Sequence, residues 1–540
     1  MKPMTSGHEA KTVALPLLDQ TLEELARVEA RYPDEVRQRE TRKVLEANER
    51  FARDRARVEA YLRYLGDKDM FIPIYGLGNT PNGLPIALPR YLIELMDASA
   101  RVLYALMRRD LRERGPQLLI DRMPAGWLSA EMAERLHGYY LTTEPDMAFD
   151  VLVFGRKSWR GMSFEEFKAS GDILDARLLE AQSVDTYWGW VREFVRGARL
   201  AGLTGGCTFT LARDAQGRLH TDESLDREVL DTYRWPLGAE TESVLILEIE
   251  PPKQATKQNL WFIADAMCGG DRARRPAILD VADLEIRDGR LYGKVDGVER
   301  EIKKVNSRIV DADLQAYIKA RKAAGEEHVV ERLRQVYQMP HVWPDLSKHL
   351  MGFYLIDKSS LTGLSLLGSV RLAPRTELIT PQHVERWRKN PSELKKIAIK
   401  PLHGMSAKGV YVGPTLEQVE QATAQEPMLA QEILWATPIL PNVMPDIRDP
   451  DVQAGICSEA RLVLQAGTPA VPHEPHRARM VAGLTRNHFQ SRDPERKIKD
   501  DPKGRGWYSN MGAILAVKGE LGIKERDDAG IGMAPIYWLD

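Results

Sequence analysis

Residues 397–413, IAIKPLHGMSAKGVYVG, leave few folds open: an apolar run ends in Lys400, a loop bounded by Gly404 and Gly409 follows, and alternation resumes at Val410, Tyr411 and Val412. Apolar runs at strand spacing on either side of a glycine-rich loop predict a β-hairpin. A lysine at the end of the first strand and small residues in the loop direct a positive charge and several backbone N–H groups toward one point. Phosphate oxygens suit that arrangement, because small residues allow the backbone close and the ammonium offsets negative charge. The candidate phosphate contacts are Lys400, Gly404, Met405, Ser406, Ala407 and Gly409. Glycine hairpins with a lysine also occur in proteins that bind nothing, so the surroundings must decide.

Those surroundings are informative. TLEQVEQATAQ predicts a helix, MLAQEIL a strand carrying Gln431, Glu432 and Ile433, and SEARLVL and RARMVAGLTR two strands carrying Arg461, Arg479 and Arg486. Three arginines on neighbouring strands beyond a phosphate loop can surround a transferring phosphoryl group or an anionic substrate.

The chain has 540 residues, too many for one hydrophobic core, so about two or three domains are expected. Its 76 basic and 78 acidic side chains give a net charge of -2, and no global field concentrates nucleic acid. Cys207, Cys268 and Cys457 are odd in number and widely spaced, which gives neither a disulfide framework nor paired zinc ligands; a cytoplasmic setting is expected. No apolar run reaches the length of a membrane span.

From Leu22 to Leu65, Glu, Arg and Ala dominate, and Val44, Phe51, Val58 and Leu65 recur every seventh residue on one helix face. That spacing permits a homo-oligomer and equally permits packing on the chain's own body. Helical patterns return from Tyr91 to Arg114 and from Ser129 to Tyr140. MAFDVLVF, ARLLEAQS, SVLILEIE and NLWFIADAM then read as short strands of an α/β sheet, and Asp288-Gly289 and Asp296-Gly297 mark hairpins. The boundaries expected are a helical region 1–75, a part of the nucleotide fold 76–235, an intervening α/β unit 236–370 and the glycine-loop part 371–540.

Asp150 sits on an apolar strand, and Glu180 and Gln182 have the i, i+2 spacing that places both on one side of a second. Burying such groups is costly, and metal coordination gives one reason for their presence. A second acidic set, Asp214, Asp222, Glu223 and Asp226, has turn composition and reads as a solvated loop. The insertion 155–175, with Trp159, Phe164 and Phe167, reads as a surface excursion rather than a lid. His473, His476 and His488 lack metal spacing; His403 lies inside the glycine loop.

Glycine hairpin, Gln-Glu strand and arginine strands together resemble the ATP-grasp superfamily. With the acidic strands placed first and the glycine loop last, the order resembles its circularly permuted members, similar to glutathionylspermidine synthase. ILDVADLEIRDGRLYGKVDGVEREIKKVNSRIVDADL and HLMGFYLIDKSSLTGL resemble further segments of that family. The resemblance covers roughly Pro85 to Gly512. It implies a mixed α+β and α/β fold with ATP between two lobes and a helical N-terminal region added.

It also implies that Lys358 and Lys400 contact ATP, that Gln431, Glu432 and Ile433 border the adenine, and that Asp150, Glu180 and Gln182 hold Mg2+. The implied reaction joins a small-molecule carboxylate to an amine through an acyl phosphate, releasing ADP and phosphate, with Arg461 stabilising the acyl phosphate and Arg479 and Arg486 assisting. Two departures stand out: Gln182 replaces the family's asparagine, and the insertion 155–175 is long. A phosphotransferase and a nucleotide-binding protein without catalysis are the alternatives. No amidase-like segment is present, so polyamine and glutathione are not implied.

Overall fold

Leu18, Leu25, Val28 and Tyr32, and then Val44, Phe51 and Leu65, recur at helical spacing and are buried, so the N-terminal residues fold as α1 (Ala14–Arg31), α2 (Asp34–Arg53) and α3 (Arg55–Asp67). Asp54 divides α2 from α3, its carboxylate accepting from the Arg57 N–H. The heptad-spaced Val44 and Phe51 enter the same core as α4 (Arg90–Arg114), with Val58 packed beside them, so this face is used within the chain. The computed structural model describes residues 14–68, 86–121, 126–142, 147–157, 159, 161–182, 188–203, 207–209, 240–254, 257–309, 311–339, 342–343, 373–401, 409–441, 454–465, 479–488 and 532–539. No helix among them is long and apolar enough to cross a membrane.

Among the described residues, helices are mixed with four sheets. The first strands are β1 (Ile86–Leu88), β2 (Met147–Gly155), β3 (Leu174–Gln182) and β4 (Cys207–Phe209). Next come β5 (Val244–Leu247), β6 (Ala277–Leu279), β7 (Leu284–Arg287), β8 (Arg290–Val295), β9 (Val298–Ile302), β10 (Lys304–Ser307) and β11 (Val342–Trp343). A parallel sheet is ordered β11-β10-β5-β6, and β7, β8 and β9 form an antiparallel meander. Asp288-Gly289 and Asp296-Gly297 make its two tight turns, all four residues having positive φ.

NLWFIADAM, expected as a strand, is instead helical within Lys257–Cys268 and connects β5 to β6. Leu260, Ile263, Ala264 and Met267 are buried at helical spacing. A short apolar run cannot separate a buried strand from a buried helix by its period alone, and the crossover between parallel strands requires the helix.

A second lobe holds β12 (Thr376–Leu378), β13 (Ile397–Pro401), β14 (Tyr411–Val412) and β15 (Met428–Glu432), ordered β12-β15-β13-β14 and fully antiparallel. Helices Pro381–Lys389 and Leu416–Gln425 supply Trp387 and Val419 to its core, against Ile399 and Met428. The expected hairpin is present as the pairing of Ala398 with Val412 and Ile399 with Tyr411, and Gly409 takes the φ of 73° that closes its turn.

The large sheet adds β16 (Pro438–Leu440), β17 (Ile456–Gln465), β18 (Arg479–His488) and β19 (Gly532–Leu539), and runs β1-β19-β18-β17-β2-β3, with β16 beside β17 and β4 beside β19. The closing segment contributes β19. Pro535 inside it lacks a ladder donor and hides the strand from a reading by pattern. The insertion 155–175 is also not a surface excursion. Its helix Phe164–Ser170, capped by Ser163 and Glu166, drives Phe164 and Phe167 fully into the core.

Asn48 ties the N-terminal helices to this sheet. Its Nδ2 donates to the Ala87 and Ile439 carbonyls, both at 3.1 Å, and its Oδ1 accepts from the Ala87 N–H at 2.6 Å, with the residue fully buried. Asn48→Ala strands three backbone groups at once, and urea denaturation is expected to read a loss of about 2–4 kcal/mol. A loss under about 1 kcal/mol would mean that water replaces the amide.

Candidate functional site

Side chains alternate along β2, so Phe149, Val151 and Val153 face the helical core while Asp150 and Leu152 face the other way. Asp150 lies opposite Arg461 on β17 and opposite Glu180 on β3. Arg461 Nε donates to Asp150 Oδ1 at 2.6 Å and Nη2 donates to Oδ2 at 2.7 Å, a bidentate pair with both side chains almost wholly buried. The proposed acyl-phosphate residue and the first proposed metal ligand are thus each other's partner in this state.

The register separates the other expected residues. Gln182 is opposite Ala148, two positions from Glu180 and in line with Asp150 on the same strand face. Arg486 is opposite Glu459, on the next row of that face. Arg479 is opposite Gln465, four positions along β17 from Arg461, about 13 Å away at strand rise. By register, Arg486 is one row from Arg461 on the sheet and Arg479 is the more distant. The side chains of Glu180, Gln182, Arg479 and Arg486 are outside those described, as are Lys358, Gly404, Met405, Ser406, Ala407, His403 and the set Asp214 to Asp226.

Lys400 bridges the two lobes. Its Nζ donates to the Leu179 carbonyl on β3 at 3.0 Å and to Gln431 Oε1 at 3.2 Å. The pairing of β2 with β3 shifts at this point: Asp150 faces Glu180 and Val151 faces Leu178, which leaves Leu179 as the extra residue of a bulge. Sequence reasoning missed this carbonyl, since a backbone acceptor exposed by a bulge has no side-chain signature. Gln431 is buried, and its Nε2 donates to Thr376 Oγ1 at 3.0 Å, so its amide oxygen is fixed toward Lys400. Glu432 and Ile433 are held by backbone bonds to Arg375 and Lys396.

Beside Gln431, Glu377 on β12 accepts from Arg375 Nε at 2.8 Å and lies 3.0 Å from His383 Nε2. Burial pushes the Glu377 pKa up, but the Arg375 guanidinium and then His383 outweigh burial and hold it below its ordinary 4.5. A carboxylate depressed in the folded state contributes stability above its unfolded pKa and loses it as pH falls through the folded one. Thermal melts of the second lobe should therefore drop as pH falls from about 5 to about 3, with a shallower drop in Glu377→Gln. Equal slopes for both proteins would remove Glu377 from the account.

The donor set in register here is oxygen throughout, the type that magnesium takes. Each oxygen of Asp150 accepts one bond from Arg461. Among the described residues no cluster of three His, Cys, Asp or Glu side chains has metal-site spacing.

No protein-family model matches the chain, and no curated protein matches it. Among solved structures the chain is similar to a glutathione synthetase-like effector, GSS30, from Globodera pallida in its apo form, with 12% identity, a TM-score of 0.43, and coverage of 75% of this chain and 86% of that one. It is also similar to the ATP-grasp ligase PsnB complexed with minimal precursor, Mg and ADP, at 15% identity and a TM-score of 0.23, covering 53% of this chain and 99% of that one. PsnB complexed with precursor peptide PsnA2 and AMPPNP gives 16% identity and a TM-score of 0.22 over 45% and 88% of the two chains. At these values the functional reading rests on the chain's own residues.

Proposed function

We propose that the chain is an ATP-dependent carboxylate-amine ligase of circularly permuted ATP-grasp order. The observation that carries this reading is Lys400, which reaches from the glycine hairpin of one lobe to the bulged carbonyl of β3 in the other, one residue from Glu180 and beside the Asp150–Arg461 row. That meeting of Lys400 with the strand carrying Glu180 supports a phosphate and metal site between the two lobes. In this reading residues 76–235 and 371–540 together build the site, 236–370 is the intervening unit, and 1–75 braces the large sheet.

A carboxylate is a poor electrophile, and phosphorylation makes it one that an amine can attack. Lys400, and Lys358 in the family pattern, would offset the charge of the ATP phosphates, with Gly404 to Gly409 closing over them. Gln431, Glu432 and Ile433 would border the adenine. Asp150, Glu180 and Gln182 would hold magnesium, which when bound neutralises charge on the phosphates and orients them. Arg461 would turn from Asp150 toward the developing acyl phosphate, with Arg486 nearby; Arg479 belongs to the far end of β18 and would act there only on the outer part of a substrate.

One observation favours a second reading. Arg461 engages both oxygens of Asp150, which suits a nucleotide-binding protein without catalysis if the pair never opens. The deciding assay incubates the protein with ATP, Mg2+ and pooled small carboxylates and amines, and follows ADP and product mass. Substrate-dependent ADP with a new amide supports the ligase. A phosphorylated product without amide replaces it by a phosphotransferase, and magnesium-insensitive ATP binding with no ADP favours the non-catalytic protein.

A further inference from the structure

On the opposite, helical side of the large sheet a cavity of about 510 Å3 lies between α1, α2, α4 and β2–β3. That volume is within the range of small-molecule pockets. Leu92, Leu95, Met96 and Leu103 line it from α4, and Phe149, Val151, Leu178 and Leu462 from the sheet. The room exists because Ser99, Ala100 and Ala176 stand where larger side chains would fill it. Pro374, Glu432 and Leu434 complete its lining from the second lobe and the segment after it.

Arg37 lines the same cavity with only 7% of its surface exposed. Its Nε donates to the Tyr32 carbonyl at 2.6 Å and its Nη2 to the Glu29 carbonyl at 3.1 Å, and its guanidinium lies 5.9 Å from the Tyr91 ring centre. Those carbonyls belong to the last turn and exit of α1, where the helix dipole favours a cation. No carboxylate pairs with Arg37 among the described residues, and its Nη1 has no partner there. The other two arginines of the cavity differ: Arg156 is paired with Asp34 and Asp175, and Arg177 with Asp175. Arg37 is thus a buried cation with no carboxylate paired to it, in a cavity that Glu29, Asp175 and Glu432 also line beside the apolar residues, and a ligand anion on it would offset the cost of that burial.

We propose that this cavity binds a monocarboxylate with an apolar tail, its head on Arg37 and its tail between α4 and the sheet. Phe149 and Val151, which face away from Asp150 on β2, line the cavity, and it shares Glu432 with the strand proposed to border the adenine. Glu432, the neighbour of the Gln431 that holds Lys400, is among its lining residues, so the cavity borders both lobes.

The test is calorimetric titration of the full chain with sodium octanoate in the absence of nucleotide. One saturable site is expected, with octanol and octylamine at least tenfold weaker, and hexanoate and butanoate falling by about fourfold per methylene removed. Arg37→Met should weaken octanoate at least tenfold with an unchanged circular dichroism spectrum, and Ala100→Phe should abolish binding by filling the cavity. Equal affinity for octanoate and octanol, or no saturable heat with any of them, would overturn the proposal without reference to either variant. So would octanoate affinity retained in Arg37→Met, which would leave Arg37 as a cap of α1 alone.

Discussion

Arg461→Met should cost about 3–5 kcal/mol of stability, far more than a surface ion pair, because it removes the bidentate cation from a buried carboxylate. The two side chains hold β17 against β2 across a sequence separation of 311 residues, with two short charge-assisted bonds and almost no exposure. Asp150→Asn should be destabilising for the same reason, by removing the charge that faces the buried guanidinium. The double variant Asp150→Leu with Arg461→Met should recover much of the loss, since an apolar pair of similar volume carries no desolvation cost. Urea denaturation followed by tryptophan fluorescence reads all three. Single variants within about 1 kcal/mol of the parent would show that the charges reach water. The cycle also informs the function: a folded double variant that binds ATP but releases no ADP would separate the pair's structural role from its role in the proposed chemistry.

Lys400→Met should lower ADP release by about 100- to 1,000-fold if the ammonium offsets charge on the transferring phosphoryl group. Gln431 remains anchored through Thr376, so the lobe should keep its melting temperature within a few degrees. Lys400→Arg should rescue little, because the planar guanidinium cannot replace one compact charge that donates to both the Leu179 carbonyl and Gln431 Oε1. Unchanged ADP release in Lys400→Met would show that Lys400 is only an inter-lobe strut. A fall in melting temperature as large as that of Arg461→Met would point the same way.

The hairpin around Lys400 was legible because period-two runs and a glycine at positive φ are local signals, and the N-terminal helices because their apolar spacing is local too. The helix at Lys257–Cys268 was not, since its apolar run fits either period over so few residues. β19 was hidden by Pro535. At the candidate site, residue types were readable and partnerships were not. Nothing within MAFDVLVF or SEARLVL announces that Asp150 and Arg461 are paired, and Arg479 and Arg486, seven residues apart on one strand, looked equivalent until the register put them at opposite ends of β18.

The interleaving of the large sheet has a consequence for how the protein is made. β1 and β2 emerge early in synthesis, yet β17, β18 and β19 lie between them, so the sheet cannot close until the last of these has left the ribosome. Contacts of such long range form slowly, and unpaired strand edges meanwhile invite association with other chains. A nascent chain halted before residue 456 therefore presents the β2–β3 pair with both edges open and β1 without β19, the species that a chaperone or a protease would meet first.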